Sequence, residues 1–402
     1  MGRTLKTETT LDPIIATEEE YQVATYKKFP FVVERGSDVW VFTTDGDRYL
    51  DRYGGHAVCS TGHCHPMVVA AIKKQAERLI FYSNLVYSDV RARAVEKLVK
   101  AAPPLLSKAF FVNSGTEANE AAMSIARRLT GRTRVISFEG GFHGRTPGSV
   151  SACGLPKYQK GIAPLLDDHV LAPWDDIDVL TRMIGQDTAA VILEPIQSMA
   201  GVRMGSLNFY HGLRELCDKA GTMLIYDEVQ TGMGRTGEFF FSGRNGITPD
   251  MATLAKGIAS GVPMGAVLMT EEVSAEIKNG DLGSTFGGGM IAAAALEATV
   301  EAIVEDRLLE RVRDNSDYMI RELGYNRSVQ EVRGLGYLVG VKFKNGNAKQ
   351  FQQGLLDRKI IAGLSEDPAV LRLLPPLTLG RFEIDSVLEA LEDCSRAAAK
   401  LG

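Results

Sequence analysis

The sequence predicts an α/β protein, with a large unit built on a mostly parallel sheet and a smaller α+β unit after it. Three observations predict this. The chain has 402 residues, more than one small core needs, so two domains are the natural expectation. From about residue 108, short apolar runs alternate with helical stretches, the rhythm of a parallel sheet covered by helices. From about residue 290, that rhythm gives way to a long helix and then strands. Composition is that of a globular protein, 45% hydrophobic and 24% charged, with no internal repeat, low-complexity tract or Pro/Ser-rich linker.

The elements follow in order. Residues 1–20 are polar and read as an arm. Residues 31–53 alternate apolar and polar side chains, with turn signals at Arg35-Gly36 and Asp45-Gly46, and read as a β-meander. Residues 66–80 have helical spacing with Pro66 in the first turn, and 91–103 form a second helix ending before Pro103. AFFVNS (109–114) is a strand, and the helix 115–131 closes on Gly131. RVISF, AVILEPI, TMLIYDEV and GAVLMT are buried-strand candidates, separated by helical stretches such as 209–221. A long helix runs through AAAALEATVEAIVEDRLLERVRDN. VRGLGYLVGVKF and AVLRLLPPL then read as strands, and a last helix lies near 383–400.

Composition excludes several roles. A net charge of −5 argues against nucleic acid as the main partner. The five cysteines fit neither a zinc site nor a disulfide framework, so a cytoplasmic location is expected. The N-terminus lacks an apolar signal-peptide core, and Lys6 stands where myristoylation needs Ser or Thr. No apolar run approaches the ~20 residues of a membrane span.

The chemistry gathers around 222–257. The apolar run Thr222–Tyr226 ends in Asp227-Glu228, and the stretch Met251–Ala255 delivers Lys256. Ligands of open α/β sheets sit beyond the carboxyl ends of strands, so both side chains are expected in one crevice. A lysine for a Schiff base and a carboxylate for a pyridinium nitrogen suit pyridoxal phosphate (PLP). Taken singly, an Asp there is ordinarily a turn cap and a Lys a solvated surface residue. An upstream anion cradle shifts the balance. Asn113-Ser114-Gly115-Thr116 lies between a strand and a helix, where first-turn N–H groups lack partners and the helix dipole favours a phosphate. An ordinary N-cap would look the same in isolation.

Other motifs weigh less. Gly232-Met-Gly234-Arg-Thr-Gly237 matches a dinucleotide fingerprint, but no amphipathic helix follows it, so that reading is rejected. His63-Cys64-His65 has no second His/Cys cluster to complete a metal site. Phe142-His143-Gly144-Arg145 follows RVISF, where an aromatic can cover a planar ring and an arginine can clamp a carboxylate. A loop with a chance arginine is the plainer alternative.

NSGTEANEAA, SFEGGFHGRT, ILEPIQ, YDEVQTGMGRTG, TLAKGI, GSTFGGG and LRLLPPL occur in one order. With them the chain resembles the class III, fold type I PLP-dependent aminotransferases of the acetylornithine/ornithine group, from about Tyr26 to its C-terminus. The resemblance implies an arm and part of a small domain over 1–60, a large PLP-binding domain over 61–288 and a C-terminal small domain over 289–402. It implies that Lys256 holds PLP and that Asp227 keeps the ring nitrogen protonated. Val229 and Phe142 cover the two ring faces, Gln230 lies near the 3-oxygen, and Glu194 belongs to the cofactor site. Ser114, Gly115 and Thr116 bind the phosphate, joined by Thr285 from the neighbouring subunit of a homodimer. Arg145 matches the arginine for the donor's α-carboxylate, Arg372 the one for 2-oxoglutarate, and Tyr26 a tyrosine at the site entrance.

Two departures concern the substrate chamber. The family commonly reads EPIQGEGG or EPIQGEAG, and its glutamate masks the second arginine. Here the run is Glu194-Pro-Ile-Gln-Ser198-Met199-Ala200, so nothing obvious neutralises Arg372. His56 stands where relatives carry Tyr or an aliphatic residue. The resemblance implies ping-pong transamination from a terminal amine of a carboxylate-bearing donor to a 2-oxo acid, 2-oxoglutarate above all. An aminomutase or amino-acid epimerase on the same scaffold is the alternative.

Overall fold

The structure, a computed structural model, describes residues 12–401, with side chains through 398. Most of the expected polar arm, and all of the N-terminal targeting motifs, lie outside the described residues. The rest of that stretch is the helix Pro13–Tyr21, started by Asp12 as N-cap and by proline at its first turn, with no buried residue. Among the described residues no helix is long and apolar enough to cross a membrane.

Among the described residues, seven strands form the main sheet. In spatial order they are Lys108–Val112, Gly265–Met269, Met251–Leu254, Met223–Asp227, Thr188–Leu193, Arg134–Phe138 and His169–Ala172. All neighbours run parallel except Gly265–Met269, which is antiparallel to both strands beside it. Thr188–Leu193 is buried at every position, as a strand covered on both faces must be. The helix Gly115–Thr130 packs on one face, with Ala118, Ala122, Ile125 and Ala126 inward and Gly131 as a left-handed C-cap at φ 66°.

The N-terminal meander consists of Val33–Ser37, Trp40–Thr43 and Arg48–Asp51. Arg35-Gly36 lies inside the first strand rather than at a turn. The reversal falls at Asp38, whose φ of 53° supplies the left-handed residue that Gly36 seemed to offer. Ile360–Ile361 pairs parallel with Arg48–Asp51, which ties the two ends of the chain together.

Two C-terminal expectations need correction. The single long helix is two, Met290–Glu305 and Leu308–Gly324, broken at Arg307 with φ 52°. The apolar pattern continues across the break, so sequence conceals it. Here His65 bonds Asp306 at 2.9 Å between Nε2 and Oδ2. The single strand expected over 332–343 is a hairpin, Val329–Leu335 and Leu338–Phe343, turning at Gly336 with φ 59°. A side chain there would collide with the Arg235 carbonyl. Val370–Leu373 pairs with Leu338–Phe343 on one side and Gly363–Leu364 on the other. The alanine-rich helix Met290–Glu305 packs against Pro66–Arg78 and Asp89–Ala101, where Ala292 to Ala295 allow close approach.

Candidate active site

Met223–Asp227 and Met251–Leu254 are adjacent and parallel, with Asp227 opposite Thr253. Their carboxyl ends open at one edge, so Asp227 and Lys256 reach the same cavity, about 460 Å³ in volume. Ser114, Gly115, Thr116, Phe142, Arg145, Glu194, Val229 and Gln230 line it with them.

Lys256 begins the turn Lys256–Ala259 directly beyond its strand, with φ 44°. A left-handed non-glycine costs on the order of 1–3 kcal/mol and persists only where the surroundings impose it. Here they do. Gly257 lies so close to Ser60 that a side chain would collide, and Thr61 Oγ1 bonds Ser260 Oγ at 2.8 Å. Burial pulls the Lys256 amine below its ordinary pKa, Arg372 adds to this, and Asp227 and Glu194 oppose it. A depressed amine pKa favours the neutral, nucleophilic form.

Asp227 is 3% exposed and held from three directions. Oδ2 accepts from Asn119 Nδ2 at 2.7 Å and meets His143 Nδ1 at 2.9 Å, while Oδ1 accepts from the Val229 amide at 3.1 Å. A carboxylate has about four lone-pair positions, so one on Oδ1 is left for a cationic donor. Asn119 is itself fixed, donating to the His143 carbonyl at 2.7 Å and accepting from Thr253 Oγ1 at 2.6 Å. Sequence reading missed Asn119 and His143. The available signals were one helical turn from Gly115 and the histidine inside FHGRT.

The helix Gly115–Thr130 opens onto the cavity. Ser114 caps the helix, its Oγ accepting from the Glu117 amide, and the Glu117 carboxylate accepts from the Asn113 amide at 2.8 Å. The amides of Gly115 and Thr116 have no intrahelical partner by position. A Cβ on Gly115 would come within 3.0 Å of Val229, and one on Gly144 would collide with Thr116 Oγ1. Both glycines therefore keep backbone close to the cradle.

The opposite side carries Glu194 and Phe142. Glu194 Oε1 accepts from the Phe142 amide at 2.8 Å, and burial, with Asp227 nearby, pushes its carboxyl up to about 7. Phe142 meets Tyr158 edge-on at 4.9 Å, and the exposed Arg145 guanidinium lies 4.9 Å from the Tyr158 ring centre. Tyr158 donates to Glu366 at 3.2 Å, and Lys157 pairs with the same carboxylate.

Four expected residues do not line this cavity. Arg372 is buried beyond it, bonded to Tyr53, Ser198 and the Leu364 carbonyl. His56 packs on Tyr53 with ring centres 4.5 Å apart, and burial, Arg372 and Lys256 lower its pKa. Tyr26 is 72% exposed. Thr285 lines a separate cavity with Asn84, Arg91 and Phe111. His63 is committed to Asp51, with Nε2 and Oδ2 2.8 Å apart. No helix follows the Gly232–Gly237 run. Its Arg235 is buried and donates to the carbonyls of Tyr337 and Pro375.

Comparison with known proteins gives a concordant picture. The family described as aminotransferase class-III matches residues 21–395. The acetylornithine aminotransferase of Methanopyrus kandleri is 43% identical over 381 residues, covering 94% of this chain and 98% of that one. The protein of the same name from Methanocaldococcus jannaschii is 39% identical, covering 94% and 97%. The crystal structure of ornithine aminotransferase from Toxoplasma gondii superposes with a TM-score of 0.90 at 26% identity, covering 97% of this chain and 96% of that one.

Proposed function

Because this chain belongs to the class-III aminotransferases, we propose that it moves the terminal amino group of a carboxylate-bearing, acetylornithine- or ornithine-like donor to a 2-oxo acid, with 2-oxoglutarate as the acceptor. The observation that carries this reading is the convergence of Lys256, Asp227 and the Gly115–Thr116 cradle on one cavity. That cavity suits PLP, with an open lone pair on Asp227 for a protonated ring nitrogen and unpaired first-turn amides for a phosphate. When bound, PLP supplies an electron sink for the carbon that bears the amine.

The roles of the chain's own residues follow. Lys256 anchors the cofactor through Nζ. Its amine, when free of the cofactor, would carry the proton from the donor's amine-bearing carbon to the cofactor's C4′, and the other way in the second half-reaction, as general base and acid. Asp227, held by Asn119 and His143, would keep the ring nitrogen protonated. Val229 and Phe142 would cover the ring faces, Gln230 would lie near the 3-oxygen, Glu194 would belong to the cofactor site, and Ser114 would join the cradle. Arg145 at the mouth would receive the donor's carboxylate, with Tyr26 at the entrance and His56 near the chamber. Arg372 receives the carboxylate of the oxo acid.

A homodimer with shared sites fits the surface. Ile80, Tyr82, Leu85, Val86, Tyr87 and Phe286 are exposed apolar side chains near Thr285, and a patch of that kind marks an interface. Thr285 at its edge would complete the phosphate cradle of the other copy. The five cysteines are unpaired, which suits a reducing cytoplasm.

The test is an amine-donor screen with 2-oxoglutarate and pyruvate as acceptors, alongside Lys256→Ala. Acetylornithine or ornithine should support transfer, and the variant should lose both turnover and the borohydride-reducible link to PLP. Wild-type turnover in Lys256→Ala would end the assignment. Isomerised donor without amino transfer to either oxo acid would favour the aminomutase or epimerase instead.

A further inference from the structure

Arg372 lies in the strand Val370–Leu373 and is 3% exposed. A guanidinium has five N–H donors, no acceptor, and a permanent charge. Among the described residues three donors are engaged. Nε donates to the Leu364 carbonyl at 2.8 Å, Nη1 to Ser198 Oγ at 3.1 Å and Nη2 to Tyr53 Oη at 2.6 Å. All three acceptors are uncharged oxygens. No carboxylate among the described residues stands within 4.0 Å of the guanidinium. One N–H remains on each terminal nitrogen, the number that a carboxylate accepts when it binds in bidentate fashion. A buried cation without a counter-charge is costly, so this is a place where an anion gains more than elsewhere.

Tyr53 is firmly placed. Its ring lies against Gly363, where any side chain would collide with the ring carbons, and packs on His56 on another side. Its amide donates to Asp51 Oδ1 at 2.9 Å. The hydroxyl is thus aimed at Nη2 by contacts with Gly363, His56 and Asp51. Beside Ser198, Met199 offers no acceptor comparable to a carboxylate. Its carbonyl accepts from the Glu366 amide at 2.8 Å, but the Glu366 carboxylate turns away to Lys157 and Tyr158.

We propose that Tyr53, together with Ser198, holds Arg372 as a permanently open carboxylate clamp, shared by the 2-oxo acid and by any donor with a carboxylate on its amine-bearing carbon. The inference rests on the reading of Arg372 as the acceptor's subsite. Tyr53 is a positioning residue in it, acting through Arg372. No acid has to move aside between the two half-reactions, so α-amino acids and oxo acids of one size class bind alike.

The experiment compares holoenzymes of wild type, Tyr53→Phe, Met199→Glu and Arg372→Ala. Three quantities are read: KM for 2-oxoglutarate, the calorimetric Kd of glutarate as an unreactive dicarboxylate, and the ratio of single-turnover specificity constants for glutamate over an ω-amino acid. Tyr53→Phe removes one hydrogen bond to a charged group, so KM and Kd should rise about tenfold and the ratio should fall. Met199→Glu places an acid beside the clamp and should lower the ratio at least about tenfold. An unchanged glutarate Kd in Tyr53→Phe, or an unchanged ratio in Met199→Glu, overturns the clamp. If Arg372→Ala nevertheless raises KM for 2-oxoglutarate about a hundredfold, the acceptor subsite stands and only the clamp falls. If Arg372→Ala leaves KM unchanged, the acceptor assignment falls with it.

Discussion

Asp227 and Arg372 are equally buried charges, each 3% exposed, carried by different sheets. Asp227 ends a parallel strand of the main sheet and is held by N–H groups, including one amide of its own loop. Arg372 sits within an antiparallel strand of the C-terminal sheet and is held by three neutral oxygens, two of them from distant segments. Each retains unused hydrogen-bonding capacity, a lone pair on Asp227 and a pair of N–H groups on Arg372. Glu228 shows what saturation looks like. It is the next residue, 1% exposed, and accepts from Thr231 Oγ1, the amides of Phe241 and Ser242, and Ser242 Oγ. Incomplete pairing, rather than burial, distinguishes Asp227 from Glu228.

The comparison breaks first at Asp227. Asp227→Asn keeps the shape and removes the charge proposed to hold the ring nitrogen protonated. A loss of about a thousandfold in single-turnover rate is expected, roughly 4 kcal/mol of transition-state stabilisation. Near-native rates with PLP fully bound would show that Asp227 is no more chemical than its neighbour.

Glu228→Gln sharpens the contrast from the other side. An amide nitrogen must then face two donors, leaving buried groups unsatisfied. Urea unfolding should show a loss of about 2–4 kcal/mol, while kcat per folded molecule stays within about twofold. A kcat deficit at unchanged stability would reverse the assignment of the two carboxylates.

The smallest effect concerns Glu194, whose carboxyl burial raises to about 7. A raised acid binds its proton more tightly when folded. Its contribution to stability is therefore full below the ordinary carboxylate pKa and is lost as pH rises through about 7. In protein without added cofactor, stability should fall by up to about 1 kcal/mol per pH unit across that window. Glu194→Gln keeps an acceptor for the Phe142 amide and should flatten the profile. A variant with the same slope as wild type would place the titration elsewhere.

The amino-acid sequence by itself determined the parts of this protein that depend on neighbours in the chain. An apolar run followed at once by an acid or a lysine puts that side chain at a strand's carboxyl end. Asp227, Lys256 and the Ser114–Thr116 cradle were therefore legible, as was the alternation that builds the main sheet. Tertiary structure alone decided the partners. The bond from Asn119 to Asp227 spans 108 positions, that from Arg372 to Ser198 spans 174, and that from Arg372 to Tyr53 spans 319. No periodicity carries information over such distances. The same holds for the break at Arg307 and the turn at Asp38, where non-glycine residues take left-handed backbone that their own propensities disfavour. Local preference sets which side chains reach the edge of a sheet. Long-range packing sets which of their hydrogen-bonding positions stay open, and on that the chemistry of the site depends.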